Sequence, residues 1–444
     1  MRKKNVLFSD ANHGGLILLE EYHKFTNNNL FFYDVYDKLS DDEKRELGIK
    51  FGVEFLSLED IKSSEDSFVK VNPVHMPPVI GTDYTHHEFV DYLLKKNNFS
   101  FRIIQVTGVK GKTSVATMLS HILEDFNTLV LTSSTLMYNG KVLMEHLSIT
   151  PASIVLAINR AKEENIIDCI DFCIFEVSLG VVPNNFLNIL TNVLEDYPIA
   201  GRSSSASVAK ESVFSSKMTL CDYGSFVKYY SNHDAVTLSF DDSDADIFAD
   251  NIEYSLDESR FVMNYFDSKY EIYHFALSDF YINNLLFAIA AGFMLGIDKK
   301  VVISKLSKVN NIKGRNSYRK IDNRTVIEDI NPGLNASSIK KCIDNLDKHN
   351  EEALIIMGGD YGITCEEINE KKLTEYIDGI NNTQIIFAGE VGKSLAEQVK
   401  VKYKTFNSLK DAITYSLEKE DNKIIQIIYR SEYKKHDEDL NYFE

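Results

Sequence analysis

The chain has 444 residues, of which 44% are hydrophobic and 26% charged, with a formal net charge of −18. That length exceeds one typical domain, and no apolar run reaches membrane-spanning length. The acidic balance argues against sequence-independent nucleic-acid binding, which requires a basic surface. The cysteines (Cys169, Cys173, Cys221, Cys342, Cys365) are odd in number and scattered, and read as reduced thiols of a cytoplasmic protein. Behind Met1-Arg2-Lys3-Lys4 the apolar run is only Val6-Leu7-Phe8 before Ser9-Asp10 ends it, so the start reads as a first strand rather than a signal peptide.

Residues 1 to about 95 read as a small α/β domain: strand Asn5–Phe8, then Asp10-Ala11-Asn12-His13-Gly14-Gly15 and a helix, then strand Leu30–Tyr36. The His13-Gly14-Gly15 turn opens a helix and suits an anion as well as it suits a plain turn. Asn72-Pro73-Val74-His75-Met76-Pro77-Pro78 is a stiff extended connector. Thr85 then caps a helix that begins His86-His87-Glu88. Two adjacent histidines on a helix point in different directions, which favours a substrate or interdomain contact over a metal site.

The central stretch is Val106-Thr107-Gly108-Val109-Lys110-Gly111-Lys112-Thr113-Ser114. The run Ile103-Ile104-Gln105-Val106 leads in as a strand, and Val115, Met118, Leu119, Ile122 and Leu123 mark a helix behind it. A glycine turn between strand and helix aims N–H groups at one spot and binds phosphate. Lys112 then reaches the outer phosphates and the Thr113 hydroxyl can ligate Mg²⁺. Val106 stands where the full Walker pattern has glycine, so the match is to a shorter G-x-x-G-K-[ST] loop.

Further strands are expected at Leu129–Ser134, at Cys169–Phe175 ending in Glu176-Val177-Ser178, and at Ile189–Asp196. Glu176, at a strand's carboxyl end, is a Mg²⁺-ligand candidate or a helix-capping acid. Lys210 follows Gly201-Arg202-Ser203-Ser204-Ser205, and on its residue type alone it reads as a solvated lysine. Residues 235 to 280 suggest a strand meander, and Asn283–Leu295 a helix with a flat small-residue face. Lys313-Gly314-Arg315 reads as a hinge into a third domain. There, strands at Arg324–Ile330, Ala353–Asp360, Ile385–Glu390 and Ile424–Tyr429 alternate with helices, which implies a parallel sheet.

Taken in order, these stretches resemble the Mur ligase family of ATP-dependent ligases. The resemblance implies an α/β fold with a three-domain Mur ligase-like architecture: residues 1–95 binding substrate, 96–312 forming a P-loop parallel sheet that binds ATP, and 313–444 forming a Rossmann-like domain that closes over it. It implies ATP and Mg²⁺ as cofactors. Gly108, Val109, Lys110, Gly111, Lys112, Thr113 and Ser114 would cradle phosphate, and Asn284 would contact adenine. Arg315 and Asp329 would close over ATP, and Thr113, Glu176 and Lys210, the last as a carbamate, would hold Mg²⁺. Lys112, Lys210, Glu176 and Arg315 take the catalytic roles. Tyr197 stands where the family often has a metal-holding histidine, and Tyr281 where the central helix usually starts with an asparagine.

Asn12-His13-Gly14-Gly15, Pro73-Val74-His75, His86-His87-Glu88, Thr150-Pro151-Ala152-Ser153, Gly201-Arg202 and Asp329-Ile330-Asn331-Pro332 are most similar to the branch of the family that closes a carbocycle on a nickel tetrapyrrole acid. In that branch His13, His75, His86, His87 and Arg202 become substrate-side candidates. A monomer acting on a small molecule, with no nucleic-acid or membrane partner, is expected.

Overall fold

A computed structural model describes residues 4–96, 99–133, 135–255, 258–274, 278–307, 309, 314, 317–321, 323–346, 353–363, 368–380, 384–400, 403–419 and 423–440. Internal contacts divide the chain into two units, Met1–Phe248 with Asn284–Ile303 and Ala249–Asn283 with Ser304–Glu444.

In the first unit, β1 (Asn5–Ser9), α1 (Gly15–His23), β2 (Asn29–Tyr33), β3 (Val53–Phe55), β4 (Phe68–Asn72) and β5 (Tyr84–Thr85) build a parallel sheet of order β3-β2-β1-β4-β5. The chain runs outward from β1 to β3 and then returns across β1 to β4. β1 and β4 therefore flank the switch point where open parallel sheets form a crevice at their carboxyl ends. The helix α2 (His86–Lys95) follows, with Thr85 and Glu88 forming a reciprocal capping box.

Next come β6 (Arg102–Thr107), α3 (Lys112–Ile122), β7 (Thr128–Leu131), β8 (Thr135–Tyr138), β9 (Lys141–Glu145), α4 (Pro151–Glu163), β10 (Phe172–Glu176) and β11 (Leu187–Leu190). A short ribbon of β12 (Pro198–Ile199) and β13 (Ser204–Ser205) leads into α5 (Ala206–Lys210), then β14 (Met218–Asp222) and β15 (Val236–Ser239). Their sheet runs β15-β14-β11-β6-β10-β7-β8-β9, parallel except for β8 and β9. β6 lies between β10 and β11, so the glycine turn leaving it is bracketed by both neighbours' carboxyl ends. One apolar core joins the two sheets of this unit, with Phe8, Leu18 and Phe89 in the same cluster as Ala157, Cys173 and Phe175.

At three of the element boundaries that differ from the sequence reading, a specific contact accounts for the shift. Cys169 ends a 3-10 turn and the strand starts at Phe172, because Asp171 pairs with Asn127 through its N–H (2.9 Å) and carboxylate (2.8 Å). β11 stops at Leu190, since Thr191 and Asn192 are turned toward the glycine loop. The helix expected from Asn283 starts earlier, as α6 (Asp279–Met294), where Ser278 Oγ accepts the Tyr281 N–H at 3.2 Å. Its small-residue face is close-packed: a Cβ on Gly292 would lie 3.0–3.2 Å from Val302 and Ile122.

The second unit holds an antiparallel hairpin, Ser259–Tyr265 with Ser268–His274, and a six-stranded sheet. In that sheet Ser317–Ile321 runs antiparallel on the edge beside Arg324–Ile330. The rest is parallel: Arg324–Ile330, Ile424–Arg430, Ala353–Gly359, Gln384–Ala388 and Lys404–Phe406, in that order. Helices cover both faces, with Ile339, Leu373 and Leu395 on one and Leu409 and Ile413 on the other. Burial on both faces explains why these strands read as unbroken apolar runs. Among the described residues no helix is long and apolar enough to cross a membrane.

Candidate active site

The glycine turn is clamped from β11. Val109 N–H donates to the Asn192 carbonyl (2.9 Å) and Lys110 N–H to Asn192 Oδ1 (3.1 Å), while Asn192 Nδ2 and Thr191 Oγ1 both donate to the Lys110 carbonyl. Gly108 has φ 144° and Gly111 φ 87°, both in the region that favours glycine. A Cβ on Gly108 would lie 2.0 Å from Thr191 Oγ1, and one on Gly111 2.4 Å from Asn284 Oδ1. Asn284 is thus set against the loop, beside the α3 N-terminus. Gly111 caps α3 without a side chain, and the first-turn N–H groups of a helix have no intrahelical acceptor. The turn accordingly offers backbone donors and the positive end of a helix dipole to an anion. Replacing Gly108 by alanine should displace the loop from Thr191 and weaken ADP binding at least about tenfold, measured by calorimetry.

Lys112 Nζ bends over this turn, donating to the Gly108 carbonyl (3.1 Å) and the Val109 carbonyl (3.4 Å). Ser114 is buried in the first turn of α3. The Thr113 hydroxyl donates to Glu176 Oε2 at 2.9 Å, and Ser133 N–H donates to the same carboxylate oxygen at 3.0 Å. Octahedral Mg²⁺ with ligands at about 2.0–2.1 Å holds neighbouring oxygens about 2.9 Å apart, so this pair fits two adjacent positions on the ion.

Lys210 is only 1% exposed, contrary to its reading as a solvated lysine. Burial, and then repulsion from Lys112, lowers its pKa to about 7 against the opposing attraction of Asp196. Asp196 is held at the start of α5 by the Ser207 N–H (2.8 Å) and hydroxyl (2.6 Å).

His86 and His87 are buried at the start of α2. Burial lowers His86 to about 3, although the Asp10 charge opposes it, and His87 to about 4, although a bond to the Ser178 backbone opposes it. Both are neutral imidazoles at pH 7, able to hydrogen-bond but not to carry charge. Because the folded values are depressed, stability is intact above the unfolded pKa of about 6.5 and is lost as pH falls toward 4. Each should cost about 2 kcal/mol at pH 5, and a His86→Gln/His87→Gln double variant should flatten the fall of the urea midpoint between pH 7 and 5.

His13 and His75 meet over Asp10 at the β1/β4 switch point, a partnership the sequence reading did not include. Arg202 is exposed, with φ 71°, beside Gly201, whose Cβ would touch Pro77 at 3.5 Å. In the second unit Asp329 is buried near the carboxyl end of its strand and accepts from Gln426 Nε2 at 3.1 Å. Arg315 lies outside the described residues.

This architecture is that of the Mur ligases. The chain is similar over 99% of its length and 97% of theirs to MurF ligase from Thermotoga maritima in complex with ADP, with a TM-score of 0.62 at 12% identity, which shows the fold. Residues 318–432 match the family described as coenzyme F430 synthetase CfbE, C-terminal domain. Coenzyme F(430) synthetase of Methanocaldococcus jannaschii is 33% identical over 403 residues, 88% of this chain and 92% of that protein. The same enzyme of Methanosarcina acetivorans is 25% identical over 440 residues, 89% of this chain and 92% of that protein. The chain belongs to the coenzyme F430 synthetase family of ATP-dependent Mur-type ligases.

Proposed function

We propose that the chain activates a propionate carboxylate of 15,17(3)-seco-F-430-17(3)-acid with ATP and closes the last carbocycle of the nickel tetrapyrrole. The observation that carries this reading is the Thr113–Glu176 oxygen pair, 2.9 Å apart beside the Lys112 turn, in a chain 33% identical to a coenzyme F(430) synthetase. A carboxylate is a poor electrophile because its leaving group would be oxide. Transfer of the γ-phosphoryl group to it forms an acyl phosphate and releases ADP. A carbon of the same macrocycle, having lost its proton, then attacks the carbonyl carbon, the C–O bond to phosphate breaks, and a cyclic ketone and phosphate result. Intramolecular attack depends on positioning more than on a strong base.

The first step sets an anion against a polyanion, so charge neutralisation dominates. Loop amides and Lys112 gather the phosphates. Mg²⁺ on Thr113 and Glu176 would supply further positive charge there. The Lys210 amine, neutral over much of the physiological range, can add CO₂ and release a proton to become a carbamate ligand. Asn284, Arg315 and Asp329 keep the adenine-contacting and closing roles given by the family resemblance, with domains at 1–95, 96–312 and 313–444. The N-terminal crevice, with His13 and His75 at its rim, would receive the tetrapyrrole acid, Arg202 keeping the substrate-side role given by the family resemblance, and closure would exclude water from the acyl phosphate.

ADP release should require Mg²⁺ and the seco-tetrapyrrole acid, and no amino acid. Release that needs an added amino acid, or that proceeds without any acid, contradicts the reading.

A further inference from the structure

Asp10, His13 and His75 stand apart from the phosphate machinery and place three donor atoms in one small triangle. Asp10 Oδ2 lies 2.7 Å from His13 Nδ1 and 3.0 Å from His75 Nε2, and the two nitrogens are 3.1 Å apart. With the carboxylate ionised, no arrangement of protons satisfies all three edges. If both imidazoles donate to the carboxylate, two N–H groups face each other. If either nitrogen is unprotonated, its lone pair faces the carboxylate or the other ring. A cation seated over the triangle, in contact with all three atoms, turns the three contacts into attraction.

We propose that this triangle is a binding site for a first-row divalent metal ion. Among the described residues it is the one group of histidine, cysteine or carboxylate ligands whose donor atoms converge in this way. An octahedral ion with bonds of about 2.1 Å separates neighbouring donors by about 3.0 Å, which matches the edges. Two imidazoles and one carboxylate on one face suit zinc, cobalt, nickel or iron(II), whereas magnesium and calcium prefer oxygen alone.

The fold builds the site deliberately. Asp10 leaves β1 at φ 72°, where its other oxygen accepts the Asn12 N–H at 3.0 Å and its carbonyl accepts the Gly15 N–H at 2.9 Å. A side chain on Gly15 would strike the Ser9 carbonyl at 2.2 Å, so the turn that brings His13 back over Asp10 admits none. His75 arrives on the connector after β4, across the switch point. The Asp10 side chain is 0% exposed while His13 and His75 are 36% and 21% exposed, so the remaining coordination positions open on the solvent side.

This geometry selects a free, hydrated ion over nickel already inside a tetrapyrrole. A macrocycle occupies four equatorial positions and leaves two opposed axial ones, and three donors on one face cannot occupy those. The inference therefore does not rest on the proposed ring closure, and its test needs no tetrapyrrole.

The full-length protein, stripped with chelator and titrated with Co²⁺ alone, should bind one equivalent with visible d–d bands of mixed nitrogen and oxygen ligation. His13→Ala and His75→Ala should each weaken binding at least about 10–100-fold, while His121→Ala, on the exposed side of α3, leaves it unchanged. Equal affinity in the wild type and both site variants overturns the proposal. X-ray absorption of the Ni²⁺-loaded wild type gives a reading independent of variant folding. Scattering from two imidazole rings is expected, and a shell of oxygen alone overturns the proposal.

Discussion

Replacing Lys112 by alanine is expected to reduce acid-dependent ADP release by about 10²–10³-fold, the usual loss when one preorganised positive or hydrogen-bonding group is withdrawn from developing charge. The loss should fall mainly on kcat. The loop loses the Lys112 contacts to the Gly108 and Val109 carbonyls but keeps its clamp from Asn192 and Thr191, so nucleotide still finds its cradle. Steady-state ADP release and calorimetric ADP binding separate the two effects. A Lys112→Ala enzyme with full turnover would remove the phosphate loop from the mechanism.

The second large effect is expected at Lys210. An ordinary lysine, with a pKa near 10.4, is almost wholly protonated at pH 7 and inert to CO₂. Burial and the neighbouring Lys112 charge bring Lys210 to about 7, raising its neutral fraction at pH 7 roughly a thousandfold. The sign follows directly: the neutral amine increases roughly tenfold as pH rises from 6 to 8, and carbamate formation, which also releases a proton, increases with it. At fixed dissolved CO₂, activity should rise over that window, and ¹³C-labelled CO₂ should give a lysine carbamate resonance in the wild type. Lys210→Ala should lose the resonance and about 10²-fold of the activity. An unlabelled Lys210 in an enzyme that needs no CO₂ would leave the amine itself as the functional group.

The glycine turn between strand and helix was legible because its signals are local. Two glycines, a lysine and a threonine within a few residues specify the turn, and strand and helix periodicities frame it. Glu176 was legible for a related reason, as an acid closing an apolar run. The burial of Lys210 was not legible from its residue type, because it depends on how α5 packs rather than on any flanking pattern. Asp10 was passed over because its partner His75 lies 65 residues away and meets it only once β4 is laid beside β1. The strand boundaries failed where a polar residue, Asp171 or Thr191, makes a contact outside its own segment.

The central claim is that a carboxyl oxygen leaves on phosphate while carbon takes its place. The direct measurement uses seco-tetrapyrrole acid labelled with ¹⁸O in its carboxylate, incubated with the enzyme and Mg-ATP, with both products read by mass spectrometry. The account predicts a tetrapyrrole lighter by one water and inorganic phosphate carrying one ¹⁸O per turnover. Unlabelled phosphate, or a tetrapyrrole recovered at unchanged mass while ADP accumulates, would contradict it.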